Sequence, residues 1–388
     1  MQETLTNPEV GAKIRDWRPY FEAKLGFRDH WYAACFSHEL AEDGVFTVTL
    51  LGEDLLIRRT ELGVFAIRDR CLHRGVKLSK KVECYTQSTI TCWYHGWTYR
   101  LDTGLLCDIV TDPGSRMIGT RSIKTYPVQE ACGLVFVFMG DGDHHPLARD
   151  VPPGFLDASR ASYGIRREVG SNWRIGAENG FDTTHIFIHK DSPFVTGMDA
   201  AVPLGFAGDK EPEFELHQEA DAPVGVVDHM TEHYTPVFQT MVEGQPAAAL
   251  KAPTGNHNTI HTVGMWLPGI LTVENHPDYD TIQNEFYVPL DADRHMYFQV
   301  VQKLEVKSDA EADAFTARCR SLWEPLALRG FNDDDIWARE ATQRFYEDDW
   351  GWIEEQLMEQ DRNLFVWRKL ASRMGGIPQT LDHVRGRK

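Results

Sequence analysis

Four potential metal ligands occur in two short groups, and they constrain this chain more than any other feature of its sequence. Cys71 and His73 form a Cys-x-His pair, and eighteen residues later Cys92 and His95 form a Cys-x-x-His pair. Both pairs lie at the ends of predicted strands, where tight turns bring two loops to one point. Such ligands suit a tetrahedral Zn²⁺ or a [2Fe–2S] cluster with two histidines on one iron. The Cys-x-His pair is shorter than the usual zinc-finger spacing, which favours the cluster.

The segment around these ligands predicts a small antiparallel β module. Gly75 and Gly96 follow the two pairs and suit close backbone approach to a buried group. Short runs of β-branched, aromatic and aliphatic residues are separated by turn residues, as in a meander of strands. The predicted strands are Phe46–Leu50, Leu55–Arg58, Val64–Ile67, Thr89–Trp93 and Leu134–Phe138.

A second group of candidate ligands lies in the segment 171–190, which we predict to be an amphipathic helix. His185 and His189 are four residues apart, so a helix places both imidazoles on one face. Two imidazoles with one carboxylate form the facial triad of non-heme Fe(II) oxygenases, which leaves positions open for O₂. Asp182 precedes His185 by one turn and could hold its ring N–H.

Composition excludes several classes of protein. Lys+Arg 40 against Asp+Glu 58 gives a net charge of −18 in 388 residues, which argues against nucleic acid or an anionic membrane as a general partner. No apolar run approaches the ~20 residues of a membrane span, and the first residues predict no export signal. Seven cysteines are too few for a disulfide scaffold, and an odd number cannot all pair. We therefore expect a reducing, cytoplasmic location.

The cysteine–histidine motif, the later Asp-x-x-His-x-x-x-His segment and an acidic C-terminal helix together resemble the catalytic α subunit of a Rieske non-heme iron oxygenase. The resemblance covers most of the chain. It implies an α+β protein: an all-β Rieske [2Fe-2S] domain over 30–150 and a catalytic domain of the helix-grip type, an antiparallel sheet with long helices, over 151–388. Residues 1–29 are expected to form a helical segment that packs on the catalytic domain.

The same resemblance implies two cofactors. Cys71, His73, Cys92 and His95 would hold the cluster, and His185, His189 and an aspartate would hold a mononuclear Fe²⁺. The run Asp333, Asp334, Asp335 leaves the third ligand open on chemistry alone; the family pattern favours Asp335, with Asp334 next. Electrons would pass from NADH through a reductase and a ferredoxin to the cluster, and then to the iron of a neighbouring subunit. Asp182 would bridge the two subunits of a homotrimer without a β subunit.

Within the family, the resemblance is strongest to terminal oxygenases that attack carbazole. It implies angular dioxygenation to 2′-aminobiphenyl-2,3-diol, with a role in the catabolism of aromatic compounds. The matching segments suggest Gly180, Val263, Gln283, Phe331 and Asn332 as substrate-pocket residues, with the Gly180 carbonyl accepting the carbazole N–H. We also expect a ferredoxin to dock on the basic run Arg74, Lys77, Lys80 and Lys81, because such a run steers an acidic partner.

Other functions remain open from sequence alone. The chain could oxidise a different fused aromatic, or could be a monooxygenase or demethylase, since ligand spacing does not separate these reactions. An electron carrier without catalytic iron would not need His185 and His189. A zinc-stabilised binding module would be colourless. The basic run, finally, could be an ordinary solvated surface.

Overall fold

The computed structural model describes residues 8–198, 202–250, 260 and 262–385. Within these residues the chain forms two compact units. The large unit contains the residues up to Phe27 together with 148–379, and the small unit contains 28–147 together with the residues from Thr380. The predicted domain boundaries after residues 29 and 150 stay a prediction. The C-terminal residues differ from the prediction: Arg68 of the small unit donates a hydrogen bond to the Val384 carbonyl.

The first residues of the large unit form two short helices, α1 (Pro8–Lys13) and α2 (Arg18–Glu22). The end of α2 and the residue that follows it are held by the side chains of Trp173 and Arg174. The Trp173 indole donates to the Ala23 carbonyl at 2.8 Å, and the Arg174 guanidinium donates to the Phe21 carbonyl at 2.5 Å. The N-terminal segment therefore packs within the same unit as residues 148–379.

The small unit is made of three antiparallel sheets with the strand orders β1-β11-β10, β2-β3-β4-β9 and β5-β6-β7-β8. Its core includes Cys71 and Cys92 themselves, beside Leu56, Ile67 and Ile90. Its strands are β1 (Trp31–Phe36), β2 (Val45–Leu50), β3 (Glu53–Thr60), β4 (Gly63–Arg68), β5 (Val82–Glu83), β6 (Thr89–Cys92), β7 (Trp97–Arg100), β8 (Leu106–Ile109), β9 (Thr125–Tyr126), β10 (Val128–Ala131) and β11 (Leu134–Phe138).

The large unit is built on a seven-stranded antiparallel sheet with the order β12-β22-β21-β20-β19-β15-β14, and two two-stranded sheets, β13-β16 and β17-β18, accompany it. The strands are β12 (Ala161–Val169), β13 (Gly205–Gly208), β14 (Glu215–His217), β15 (Gly225–Asp228), β16 (Tyr234–Val237), β17 (Gln239–Val242), β18 (Gln245–Ala249), β19 (Val263–Trp266), β20 (Ile270–Glu274), β21 (Thr281–Pro289) and β22 (His295–Lys303).

Helices complete the large unit, and α10 lies among the C-terminal residues of the small unit; the predicted α+β class is confirmed. Helix α3 contacts strands β19, β20 and β21 and the later helices α7 and α9. No helix in the described residues is long and apolar enough to cross a membrane. The helices after α2 are α3 (Trp173–Phe181), α4 (Pro193–Gly197), α5 (Met230–His233), α6 (Asp309–Arg318), α7 (Asn332–Tyr346), α8 (Gly351–Glu354), α9 (Arg362–Met374) and α10 (Leu381–Arg385), and π-helical turns follow α6 over Cys319–Arg329.

The predicted single helix over 171–190 is wrong, and the difference matters for the site. Helix α3 ends at Phe181, and a separate 3₁₀ helix spans His185–Asp191. The break is stabilised by Asp182, whose carboxylate accepts hydrogen bonds from the Thr184 backbone N–H at 2.7 Å and hydroxyl at 2.9 Å. An aspartate that bonds the backbone two residues on favours a turn over continued helix.

Candidate functional site: a cysteine–histidine centre and a histidine–carboxylate centre

The two cysteine–histidine loops converge in the small unit. Cys71 and His73 lie between β4 and β5, whereas Cys92 ends β6 and His95 lies in the turn before β7. In each loop the glycine after the pair has a positive φ, +73° at Gly75 and +69° at Gly96, and its N–H bonds the carbonyl of the cysteine. The Nδ1 atoms of the two histidines are 3.1 Å apart.

These four side chains fit a Rieske cluster. Both sulfurs are buried, and burial with a hydrogen bond to Cys71 raises the pKa of Cys92. The two Nδ1 atoms, 3.1 Å apart, are close enough to ligate one iron. His73 is exposed and its ring stacks on Trp97, with centroids 5.0 Å apart. The sulfur side of the centre is therefore inside the unit, and the imidazole side is at its surface.

Tyr99 belongs to this centre, although the motif did not indicate it. Its hydroxyl oxygen is 3.2 Å from Cys71 Sγ and accepts a hydrogen bond from the Leu72 backbone N–H at 3.1 Å. Since a cluster-ligating cysteine is a thiolate, the tyrosine hydroxyl is the donor to sulfur. Hydrogen bonds to the sulfurs are one means by which a protein sets a cluster's reduction potential. The alternation that buries Trp97 and Tyr99 together on β7 was the available sequence signal.

The predicted docking residues are all exposed, but they are not equivalent. Lys77 pairs with Asp54 at 2.8 Å, and Lys81 pairs with Glu83 at 2.6 Å. Neither Arg74 nor Lys80 has an ion-pair partner in the described part of the chain. Those two residues therefore supply the uncompensated positive charge next to the cluster loop.

The second centre joins the 3₁₀ helix to the start of α7. His185 Nε2 is 3.3 Å from Asp335 Oδ1, and His189 Nε2 is 3.5 Å from the same oxygen. His189 and Asp335 are buried, and neither His189 Nε2 nor Asp335 Oδ1 has a hydrogen-bond partner in the described residues. Two imidazole nitrogens and one carboxylate oxygen that converge in this way fit a mononuclear Fe²⁺ with open coordination positions.

Charge supports this assignment. Burial alone raises the pKa of Asp335, but the adjacent His189, His185 and Arg339 hold it well below its usual range. Asp335 conversely raises the pKa of His185, against the opposing effect of burial. The carboxylate is therefore ionised and available as an anionic ligand.

Outer hydrogen bonds decide which aspartate faces the histidines. Asn332 Nδ2 donates to Asp335 Oδ2 at 2.8 Å, so the other oxygen, Oδ1, is directed to the two Nε2 atoms. Asp334 Oδ2 instead lies 3.3 Å from His189 Nδ1, on the far side of that ring. Asp333 pairs with Arg167. Asp335 is thus the candidate ligand, and Asp334 orients a ligand, a role that such carboxylates commonly have.

Asp182 contacts His185 differently from the expectation. The His185 Nδ1–H donates to the Asp182 backbone carbonyl. The half-buried carboxylate is engaged with Thr184, as described for the helix break. The backbone of Asp182 thus fixes the His185 tautomer that presents Nε2 to Asp335. The Asp182 carboxylate is bonded to Thr184 and not to the His185 ring.

A cavity lined by His185 and Asp335 lies against this centre. Of the predicted pocket residues, Gly180, Val263, Phe331 and Asn332 line it, and Gln283 does not. Gln283 is fully buried and donates to Asn332 Oδ1 at 3.1 Å, so it acts on the site through Asn332. The apolar lining residues are Phe181, Ile186, Met230, Ile260, Val263, Leu271, Val273 and Phe331.

Gly180 and Phe331 have further structural roles. A Cβ at Gly180 would lie 2.1 Å from the Tyr287 hydroxyl, so no side chain fits there. In a continued helix the Thr184 N–H would donate to the Gly180 carbonyl. Because α3 ends at Phe181, the Thr184 N–H donates to the Asp182 carboxylate instead. The Phe331 ring stacks on His189 at a centroid distance of 3.6 Å.

Comparisons with known proteins agree with both centres. Residues 30–127 match the Rieske [2Fe-2S] domain, and residues 138–377 match a family described as homotrimeric ring hydroxylase. The terminal oxygenase component of carbazole 1,9a-dioxygenase from a Sphingomonas species is 52% identical over 93% of this chain and 95% of its own. The solved terminal oxygenase of carbazole 1,9a-dioxygenase from Novosphingobium sp. KA1 is 49% identical, with a TM-score of 0.91 over 95% and 99% of the two chains. A fluorene-bound oxygenase in a ferredoxin complex of carbazole 1,9a-dioxygenase has a TM-score of 0.93 and 46% identity over 98% and 99%.

The Tyr99 hydrogen bond predicts a measurable effect on reduction potential. Reduction adds negative charge to the sulfurs, so the donated hydrogen bond stabilises the reduced form. We expect Tyr99→Phe to lower the potential by on the order of 50 mV. Redox titration followed by visible circular dichroism measures it. Tyr126→Phe is the control, since Tyr126 bonds Glu53 in the same unit; equal shifts in both variants would contradict the assignment.

The two aspartates predict different iron contents. Asp335→Ala removes a ligand and should lower iron from about three to about two atoms per chain, the two in the cluster. Asp334→Ala removes only the partner of His189 Nδ1 and should weaken Fe²⁺ binding about 10–100-fold without abolishing it at saturating iron. Iron analysis and Fe²⁺ titration of both variants test this, and the opposite order of effects would reverse the assignment.

Proposed function

The chain belongs to the homotrimeric ring hydroxylases that contain a Rieske [2Fe-2S] domain, and on that premise we propose that it is the terminal oxygenase component of a multicomponent dioxygenase for carbazole and related fused aromatics. The observation that supports this most is the cavity beside the His185–His189–Asp335 centre, which Gly180 and eight apolar side chains line together with polar ones. A flat tricyclic ring binds against apolar walls, with a few polar groups to orient it.

The residues of the cavity provide position and selectivity. The Gly180 carbonyl accepts the carbazole N–H, and the apolar walls exclude water from the ring. Val263 and Phe331 restrict how the ring can turn, so the angular carbon and its neighbour are the carbons presented to the metal centre. Addition of both oxygen atoms there, with two electrons and two protons, gives a hemiaminal that opens to 2′-aminobiphenyl-2,3-diol.

Two cofactors supply the remaining chemistry: the [2Fe–2S] cluster provides single electrons, and the mononuclear Fe²⁺ activates O₂. Cys71, His73, Cys92 and His95 are the residues proposed to hold the first, and His185, His189 and Asp335 the second. Asn332 and Asp334 keep that second set aligned through the hydrogen bonds described above.

The proposed partners follow from the relatives. A ferredoxin, reduced by an NADH-dependent reductase, is the electron donor, since a similar oxygenase has been solved in complex with one. Three copies form a closed ring without a β subunit, because a head-to-tail contact that did not close would form fibres. Asp182 is the proposed bridge from His185 to a cluster histidine, His73 or His95, of a neighbouring copy. A cytoplasmic location stays a prediction.

Product analysis under ¹⁸O₂ tests the proposed reaction. Purified protein with NADH, reductase, ferredoxin and carbazole should yield 2′-aminobiphenyl-2,3-diol that carries two labelled oxygens. Asp335→Ala, with its cluster intact, is the matched control and should give no product. Incorporation of one labelled oxygen would instead indicate a monooxygenase. Turnover of another aromatic but not of carbazole would show that carbazole is not the substrate.

The docking proposal predicts a salt-dependent electron-transfer rate. Lys80→Glu reverses an unpaired charge near the exposed His73, so reduction by ferredoxin at low ionic strength should slow about 3–10-fold and recover in high salt. Lys307→Glu makes the same charge change on an exposed lysine of the large unit and serves as the control. Stopped-flow bleaching of the cluster absorbance measures both. Equal rates in the two variants would refute docking at this run.

A further inference from the structure

One histidine of the cavity is unaccounted for by the metal centre. His276 lies between β20 and β21, is 3% exposed and lines the cavity. Its ring lies 5.3 Å from the Phe194 ring and 5.3 Å from the Phe331 ring, centroid to centroid. It is a polar side chain held among aromatic rings beside the proposed substrate site.

The imidazole of His276 has unused hydrogen-bonding capacity. Its Nε2 has no hydrogen-bond partner in the described residues. It also lies outside the group of ligand atoms that converge, which contains His185, His189 and Asp335. A buried polar atom without a partner is destabilising, so its presence at this cavity points to a bound ligand as the missing partner.

Electrostatics keep this ring neutral. Burial and, secondarily, the proximity of His189 lower the pKa of His276 to about 3. A neutral imidazole has one N–H donor and one acceptor nitrogen. It can therefore pair with a hydroxyl, a carbonyl or a ring N–H without placing a further positive charge beside the iron ligands.

We propose that His276 is a specificity-determining residue that hydrogen-bonds a polar substituent of the bound ring system. The cavity then selects fused aromatics that carry a hydroxyl, carbonyl or ring N–H over hydrocarbons of the same shape. This inference rests on the proposed function and deepens it. The Gly180 carbonyl can only accept, whereas His276 can also donate, so the two positions together define which heteroatom pattern fits.

The apolar lining sets the scale of the effect. Seven of the lining side chains are hydrocarbon and Met230 is a thioether, and all eight interact alike with a hydrocarbon ring and its alcohol. The alcohol alone gains a bond to His276, worth about 1 kcal/mol net, or about fivefold in affinity. Comparison of two ligands that differ by one hydroxyl isolates that bond from the burial of the ring.

The test compares fluorene with 9-hydroxyfluorene on the anaerobic, iron-loaded protein. In His276→Phe the affinity for 9-hydroxyfluorene relative to fluorene should fall about fivefold. His276→Gln, which keeps a donor and an acceptor, should restore part of that relative affinity. Val273→Ala, an apolar change in the same cavity, should alter both affinities alike. Isothermal titration calorimetry gives the constants. Should His276→Phe fail to fold, His276→Leu takes its place.

The outcomes separate this inference from the function on which it rests. An unchanged ratio in His276→Phe, with fluorene still bound, overturns the role of His276 alone. Failure of the parent protein to bind either ring overturns both the inference and the proposed function. Iron content should stay at the parent value in His276→Phe, and loss of the mononuclear iron would show a metal ligand instead.

Discussion

The histidine–carboxylate centre of the large unit depends on one buried negative charge. The Asp335 carboxylate is 2% exposed and lies within 3.5 Å of two imidazole nitrogens. A buried carboxylate is costly unless hydrogen bonds or positive charge compensate it. Here Asn332 donates a hydrogen bond to Asp335 Oδ2, and the nearby Arg339 contributes to lowering the pKa of Asp335. A divalent metal held by His185, His189 and Asp335 would complete the compensation, and it would supply the partner that His189 Nε2 and Asp335 Oδ1 lack among the described residues.

That constraint accounts for two buried glutamines of the large sheet. Gln283 on β21 and Gln299 on β22 are fully buried, and both donate to Asn332 Oδ1, at 3.1 and 2.8 Å. With its oxygen held by two glutamines, Asn332 can direct only its NH₂ group to Asp335. The long β21–β22 pair therefore orients the iron ligand through one intermediate residue, and Gln283 matters to the site without touching the cavity.

The two centres meet opposite physical requirements. In the small unit the sulfurs are buried and His73 is exposed, so a partner can approach the imidazole side of the cluster. In the large unit His189 and Asp335 are buried, and Asp335 lines a cavity with eight apolar side chains. The first centre is formed by two loops, and the second by a 3₁₀ helix and the first turn of α7.

The sequence by itself determined the ligand types, the α+β class and the family, because short motifs such as Cys71-x-His73 carry their chemistry locally. Through the family pattern it also favoured Asp335 over Asp334 as the third ligand, which stays a prediction. Only the tertiary structure decided the division of labour: Asp334 on the outer nitrogen of His189, Gln283 outside the cavity, and His276 within it. These depend on contacts between residues far apart in the chain, such as 276 with 331, and on a helix that stops at Phe181. No periodicity in the sequence records such contacts, because periodicity reports which face of an element is buried and not what lies against it.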